Sequence, residues 1–169
     1  YAAHGYVRYL KSDGATDPAF AYTHNSLLAN NPVGPIDWVG TNPLDIDIAD
    51  LDGDGDLDIV GAFQGYQSKS GITWIENMID SPINGYNWDT KLIYSGDENN
   101  YPGTINGMDF RYISVGDIDN DGDLDIVSGS NTHNSSATEL GHINLYENDG
   151  ASDPTWTKTT IDSYIPGYF

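Results

Sequence analysis

Asp50-Leu51-Asp52-Gly53-Asp54-Gly55-Asp56-Leu57-Asp58 recurs almost letter for letter, 67 residues later, as Asp117-Ile118-Asp119-Asn120-Asp121-Gly122-Asp123-Leu124-Asp125. Both copies fit D-x-[DN]-x-D-G-x-x-D. Carboxylates packed this densely repel one another, so a folded chain needs a cation to hold them together. An all-oxygen cluster suits a hard ion that accepts roughly 6 to 8 oxygens, which points to calcium, one ion per loop. The side chains at positions 1, 3, 5 and 9 then supply carboxylate oxygens: Asp50, Asp52, Asp54 and Asp58 in the first copy, Asp117, Asp119, Asp121 and Asp125 in the second. Position 7, Asp56 or Asp123, gives its backbone carbonyl. The reversal that turns these oxygens inward needs positive φ, for which Gly55 and Gly122 stand at position 6; Gly53 and Asn120 tolerate the same region at position 4.

An EF-hand loop closes with a bidentate Glu at position 12, and here that place holds Gly61 or Ser128, so the EF-hand is excluded. After position 9 come Ile59-Val60-Gly61-Ala62 and Ile126-Val127-Ser128-Gly129, β-branched runs that read as buried strands. Each loop therefore joins two strands. A merely solvated acidic turn is the plain alternative for one Asp-rich segment. It does not account for two copies with the same glycine and the same Leu-Asp-Ile-Val exit.

The chain has 169 residues, with 38% hydrophobic and 12% aromatic content, enough for a packed core. A formal net charge of −20 repels nucleic acid and anionic lipid, so neither is expected as a partner. The absence of Cys removes disulfides, thiolate metal sites and cysteine nucleophiles. No apolar run is long enough for a membrane span, and no signal peptide is recognisable at Tyr1. Low-affinity calcium loops fill where calcium is near millimolar, which places the expected setting outside the cell.

A second repeat lies downstream of each loop. Ile143 to Trp156 aligns without a gap on Val7 to Phe20, and Ile72-Thr73-Trp74-Ile75-Glu76-Asn77 is the middle copy. One unit of about 67 residues accounts for both repeats. Each full unit reads as four strands: Leu44 to Ala49, Leu57 to Ala62, Gly71 to Asn77 and Trp88 to Tyr94, then Arg111 to Gly116, Leu124 to Gly129, His142 to Asn148 and Thr155 to Ile161. Ile46 and Ile48 alternate with Asp45 and Asp47, as Ile113 and Val115 do with Tyr112 and Ser114. No helical periodicity appears. The expected fold is all-β, built of four-stranded antiparallel β-propeller blades: a partial blade at 1–30, a complete one at 31–100 and another at 101–169, with a calcium loop between strands one and two of each complete blade.

These residues carry a family resemblance. Asp117 to Val127, with Ile-Asn-Leu-Tyr-Glu-Asn-Asp-Gly at 143–150 and Trp-Thr-Lys-Thr-Thr-Ile at 156–161, resembles the FG-GAP/VCBS repeat family of integrin-type calcium-binding β-propellers. The resemblance spans nearly the whole chain and implies a secreted or cell-surface protein that works in adhesion, assembly, or recognition of glycan or protein. Such propellers hold more blades than two and a half. Completion is expected from further blades of the same polypeptide, or from identical subunits meeting head to tail in a ring or filament.

Nothing points firmly to catalysis. The clustered Asp residues are claimed by calcium, Glu76 and Glu147 repeat with the period as structural residues do, and His4, His24, His133 and His142 lack metal-type spacing. Trp74, Trp88 and Trp156 read as packing residues, whereas Trp38 and the tyrosines at 66, 86, 94, 101 and 112 lie in or beside loops, where aromatics can stack on carbohydrate. Asn134-Ser135-Ser136 matches the glycosylation sequon. The expectation is a binding protein and not an enzyme; a propeller-scaffold polysaccharide lyase or hydrolase, and a purely structural polymerising unit, are the alternatives.

Overall fold

Short β-branched and aromatic runs broken by Asp- and Gly-rich segments favour strands over helices, and the described residues pair as strands joined by turns. A computed structural model describes residues 10–12, 20–22, 42–64, 70–78, 88–96, 108–132 and 140–166. Strands β1 (Leu10–Ser12) and β2 (Phe20–Tyr22) form an antiparallel hairpin. Strands β3 (Asn42–Ala49), β4 (Asp58–Gln64), β5 (Ser70–Asn77) and β6 (Trp88–Ser95) follow as one four-stranded antiparallel sheet in sequence order. Strands β7 (Met108–Gly116), β8 (Asp125–Thr132), β9 (Leu140–Asn148) and β10 (Trp156–Pro166) make a second sheet with the same plan. No helix occurs among the described residues.

The two sheets share an irregularity as well as their strand order. A register shift between Pro43 and Asp45 recurs 67 residues later between Phe110 and Tyr112. Ile46 faces Gly61 and Ile48 faces Ile59, as Ile113 faces Ser128 and Val115 faces Ile126.

The main core lies between the sheets, where β7 runs across β3, β4 and β5. Leu51, Val60, Ala62, Ile72 and Trp74 from the first unit pack with Phe110, Ile126 and Tyr146 from the second. Tyr94, on β6 and half-buried, meets Phe110 edge-on at 5.9 Å and Tyr146 at 5.5 Å. It is thus an inter-sheet packing residue and not the loop aromatic expected from sequence. Trp38 and the tyrosines at 66, 86 and 101, like the Asn134 sequon, lie outside the described residues. A bridge of charge runs beside this core. Lys91 Nζ sits 4.4 Å over the Trp74 ring, 2.9 Å from Glu76 and 2.7 Å from Asp153 on the second sheet's β9–β10 connection. Burial pushes the Glu76 carboxyl up against the pull of Lys91.

Strand β3 turns its acidic face inward. Asp45 and Asp47 point between the sheets, while Ile46 and Ile48 remain 46% and 56% exposed on the other face. The cause is the edge of β7, whose outward N–H groups have no ladder partner among the described residues. Asp45 Oδ2 accepts the Ile113 N–H and Asp47 Oδ2 the Val115 N–H, both at 3.0 Å. The Oδ1 atoms accept the Ile46 and Ile48 N–H groups of their own strand at 3.1 and 2.9 Å. Each carboxylate thereby ties together the edge amides of two neighbouring sheets. Hydrogen bonds to charged groups contribute roughly 1.5 to 3 kcal/mol each, less where water reaches them, so Asp45→Ala with Asp47→Ala is expected to cost about 2 to 4 kcal/mol. Urea unfolding measures it, and an unchanged midpoint in the double variant would show that these carboxylates do not join the sheets.

Candidate metal sites

The acidic stretches form the connections from β3 to β4 and from β7 to β8, at the same place in each sheet. The reversal occurs where four residues take positive φ: Gly53 at 73° and Gly55 at 97° in the first loop, Asn120 at 64° and Gly122 at 104° in the second. Between these kinks successive carboxylates fold the backbone onto themselves. Asp52 Oδ1 accepts the Asp54 N–H at 3.2 Å and Asp54 Oδ1 the Asp56 N–H at 2.8 Å. Asp119 and Asp121 repeat the pattern towards Asp121 and Asp123 at 3.1 and 3.0 Å.

Carboxylate oxygens converge as a result. In the first loop one oxygen each from Asp50, Asp52 and Asp54 lies within 4.8 Å of the others; in the second, Asp117, Asp119 and Asp125 do the same. Asp58 falls outside the first group and Asp121 outside the second. Asp50 Oδ2 accepts the Gly55 N–H at 3.0 Å, while Asp50 Oδ1 is buried with no hydrogen-bond donor. A buried carboxylate oxygen without a donor, beside two more carboxylates, is an arrangement a hard cation resolves. Asp56 and Asp123, at position 7, lie outside both groups. Asp123 instead closes against Gly150, whose φ of 70° and lack of a Cβ leave room for the carboxylate.

Position 9 has a second task that its spacing does not reveal. Asp58 and Asp125 are both 1% exposed. Asp58 accepts the Leu51 N–H at 3.2 Å and the Asn77 N–H at 2.8 Å; Asp125 accepts those of Ile118 and Asn148, both at 3.0 Å. Each ties the start of its loop to the end of strand three. Burial pushes the Asp58 carboxyl up to about 6, against the lowering effect of these two N–H groups. Asp119 is raised as well, by desolvation first and then by the charges of Asp121 and Asp125.

Asn148 links the two sites. Its Nδ2 donates to Leu124 O at 3.2 Å in its own loop and to Leu51 O at 2.9 Å in the other, 97 residues away. Asn77 makes the first of these bonds in its own unit, to Leu57 O at 3.2 Å. The repeated Glu-Asn at 76–77 and 147–148 was the available sequence signal, and it is the Asn that reaches the loops. Among the described residues no helix is long and apolar enough to cross a membrane. The chain matches no family model, no curated protein and no solved structure.

Proposed function

We propose that the chain is a calcium-stabilised segment of an FG-GAP/VCBS-type β-propeller that works outside the cell, recognising glycan or protein without chemical turnover. The observation that carries this reading is the convergence of three carboxylates at the same turn of two successive meander sheets. Asp50, Asp52, Asp54 and Asp58 hold one ion, and Asp117, Asp119, Asp121 and Asp125 the other; Asp56 and Asp123 contribute backbone carbonyls. The bound ions supply the charge compensation that lets these acids sit together. Since Asn148 joins the two loops, ion binding stiffens the contact between units as well as each turn.

Titration calorimetry tests the metal assignment. The chain is expected to take up two calcium ions, Asp52→Ala one, and Asp56→Ala still two; equal losses in the two variants would contradict the ligand roles. Stability against pH gives a second readout. The Asp58 pKa is raised from 3.8 to about 6 in the folded chain. Its contribution is therefore complete below about pH 4 and lost as pH rises through about 6. In chelator, urea midpoints fall over that window. In calcium the slope reverses, because the ion binds only deprotonated carboxylates. Retention of the calcium-loaded chain on a glycan panel with no released product supports recognition, whereas turnover of a polysaccharide supports the lyase or hydrolase alternative.

A further inference from the structure

Asn148 stands where the two acidic loops meet, buried, with both side-chain donors and its acceptor in use. Its backbone N–H donates to Asp125 Oδ1, the position-9 carboxylate of the second loop, and its Oδ1 accepts the Gly150 N–H at 2.9 Å. Its Nδ2 donates to Leu124 O inside the second loop and to Leu51 O inside the first. The Leu51 N–H donates in turn to Asp58 Oδ2, the position-9 carboxylate of the first loop. An unbroken path thus runs from Asp125 through Asn148 and Leu51 to Asp58. The Leu51 side chain is anchored to the same unit as Asn148: it is 3% exposed and belongs to one cluster with Phe110, Ile126 and Tyr146. Asp50 and Asp52, two of the three converging carboxylates of the first loop, flank Leu51 in the chain. Whatever holds Leu51 therefore holds the backbone from which both are aimed.

We infer that Asn148 couples the two loops as metal sites, so that an ion in either raises the affinity of the other. The coupling rests on the calcium assignment above and adds regulation to it. Without a cation the carboxylates of each loop repel and spread the turn. An ion in the second loop fixes Asp125 and the Leu124 carbonyl, and with them the backbone and side chain of Asn148. Leu51 is then held before the first loop fills, so the next ion has less chain left to order. Linkage makes the effect equal in both directions. Allosteric couplings typically run from about 5- to 150-fold, and one hydrogen bond between neutral groups stands at the low end. Direct repulsion between two dications acts the other way, and it is the same with and without the Asn148 side chain. Asn77 is the internal comparison, since it holds the same place in the repeat but donates to Leu57 O of its own unit.

Calcium titration calorimetry on the full chain tests this as a double-mutant cycle. Asp119→Ala reports the first site alone and Asp52→Ala the second. In the wild-type chain the overall constant for two ions is expected to exceed the product of these single-site constants by about 5-fold. With Asn148→Ser added to all three chains, the overall constant is expected to fall to that product or below it. Serine ends one bond short of the Leu51 carbonyl but keeps an oxygen for the Gly150 N–H, and a melting curve in chelator checks that the variant folds. A merely structural Asn148 would weaken both sites and leave the excess as it was. Asn77→Ala is the control and is expected to keep the excess. The wild-type excess is read without any substitution at 148, so it tests the coupling even if Asn148→Ser does not fold. Two bound ions with no excess in wild type, or an excess that survives Asn148→Ser, overturn the coupling and leave the calcium assignment standing. A chain that takes up no calcium overturns both.

Discussion

Addition of EDTA is expected to lower the melting temperature of the chain by about 10 to 20 °C, and calcium restores it. A ligand at 100 times its dissociation constant contributes ~2.7 kcal/mol per site if it binds only the folded state, about 5 kcal/mol for both loops. For a chain of this length each kcal/mol moves the midpoint by roughly 2 to 4 °C. The physical cause is the density of acid in loops that the backbone has already drawn together, with the Asp50, Asp52 and Asp54 oxygens and those of Asp117, Asp119 and Asp125 within 4.8 Å. Without a cation these groups repel, and Asp50 Oδ1 lacks a donor. Magnesium restores less, since it demands near-ideal octahedral geometry and gives up its water reluctantly. A melting curve indifferent to EDTA sinks the metal assignment.

Asp125→Ala is expected to destabilise the chain by about 2 to 6 kcal/mol even in chelator, because it strands the Ile118 and Asn148 N–H groups at roughly 1 to 3 kcal/mol apiece. Asp119→Ala is the control. That side chain is exposed and accepts one neighbouring N–H, so its loss is expected to matter in calcium and hardly at all in EDTA. Urea midpoints of both variants under both conditions separate a carboxylate that staples the turn from one that serves an ion. Asp125→Asn tests the same point more finely: it keeps one acceptor but sets an amide donor against the other N–H. Wild-type stability of Asp125→Ala in chelator contradicts the stapling role.

Much of this architecture was legible in the chain itself. Strand identity and order followed from alternation and from β-branched runs, and the eight expected strands of the two full units appear within three residues of their expected bounds, except that β10 runs five residues beyond Ile161. The turn chemistry was local enough to read directly, since a glycine or asparagine at positions 4 and 6 of the loop is there for positive φ. The closure of these sheets into propeller blades is a proposal, for two sheets do not make a ring.

What sequence determined by itself, then, is whatever depends on neighbours along the chain: the strands, their meander and the acidic turns between them. Tertiary structure alone decided which face of β3 is inside. Alternation has a period but no sign, and Ile46 and Ile48 lie outward because Asp45 and Asp47 are drawn inward by amides on β7 that are 68 residues away. The same holds for Asp58 and Asp125, each of which accepts an N–H from the far end of strand three, and for Asn148, which reaches Leu51 O across the sheet contact. Their partners are backbone groups, which every residue carries alike. Only the packing of one sheet on the next selects which amide or carbonyl needs a partner and which side chain stands close enough to supply it.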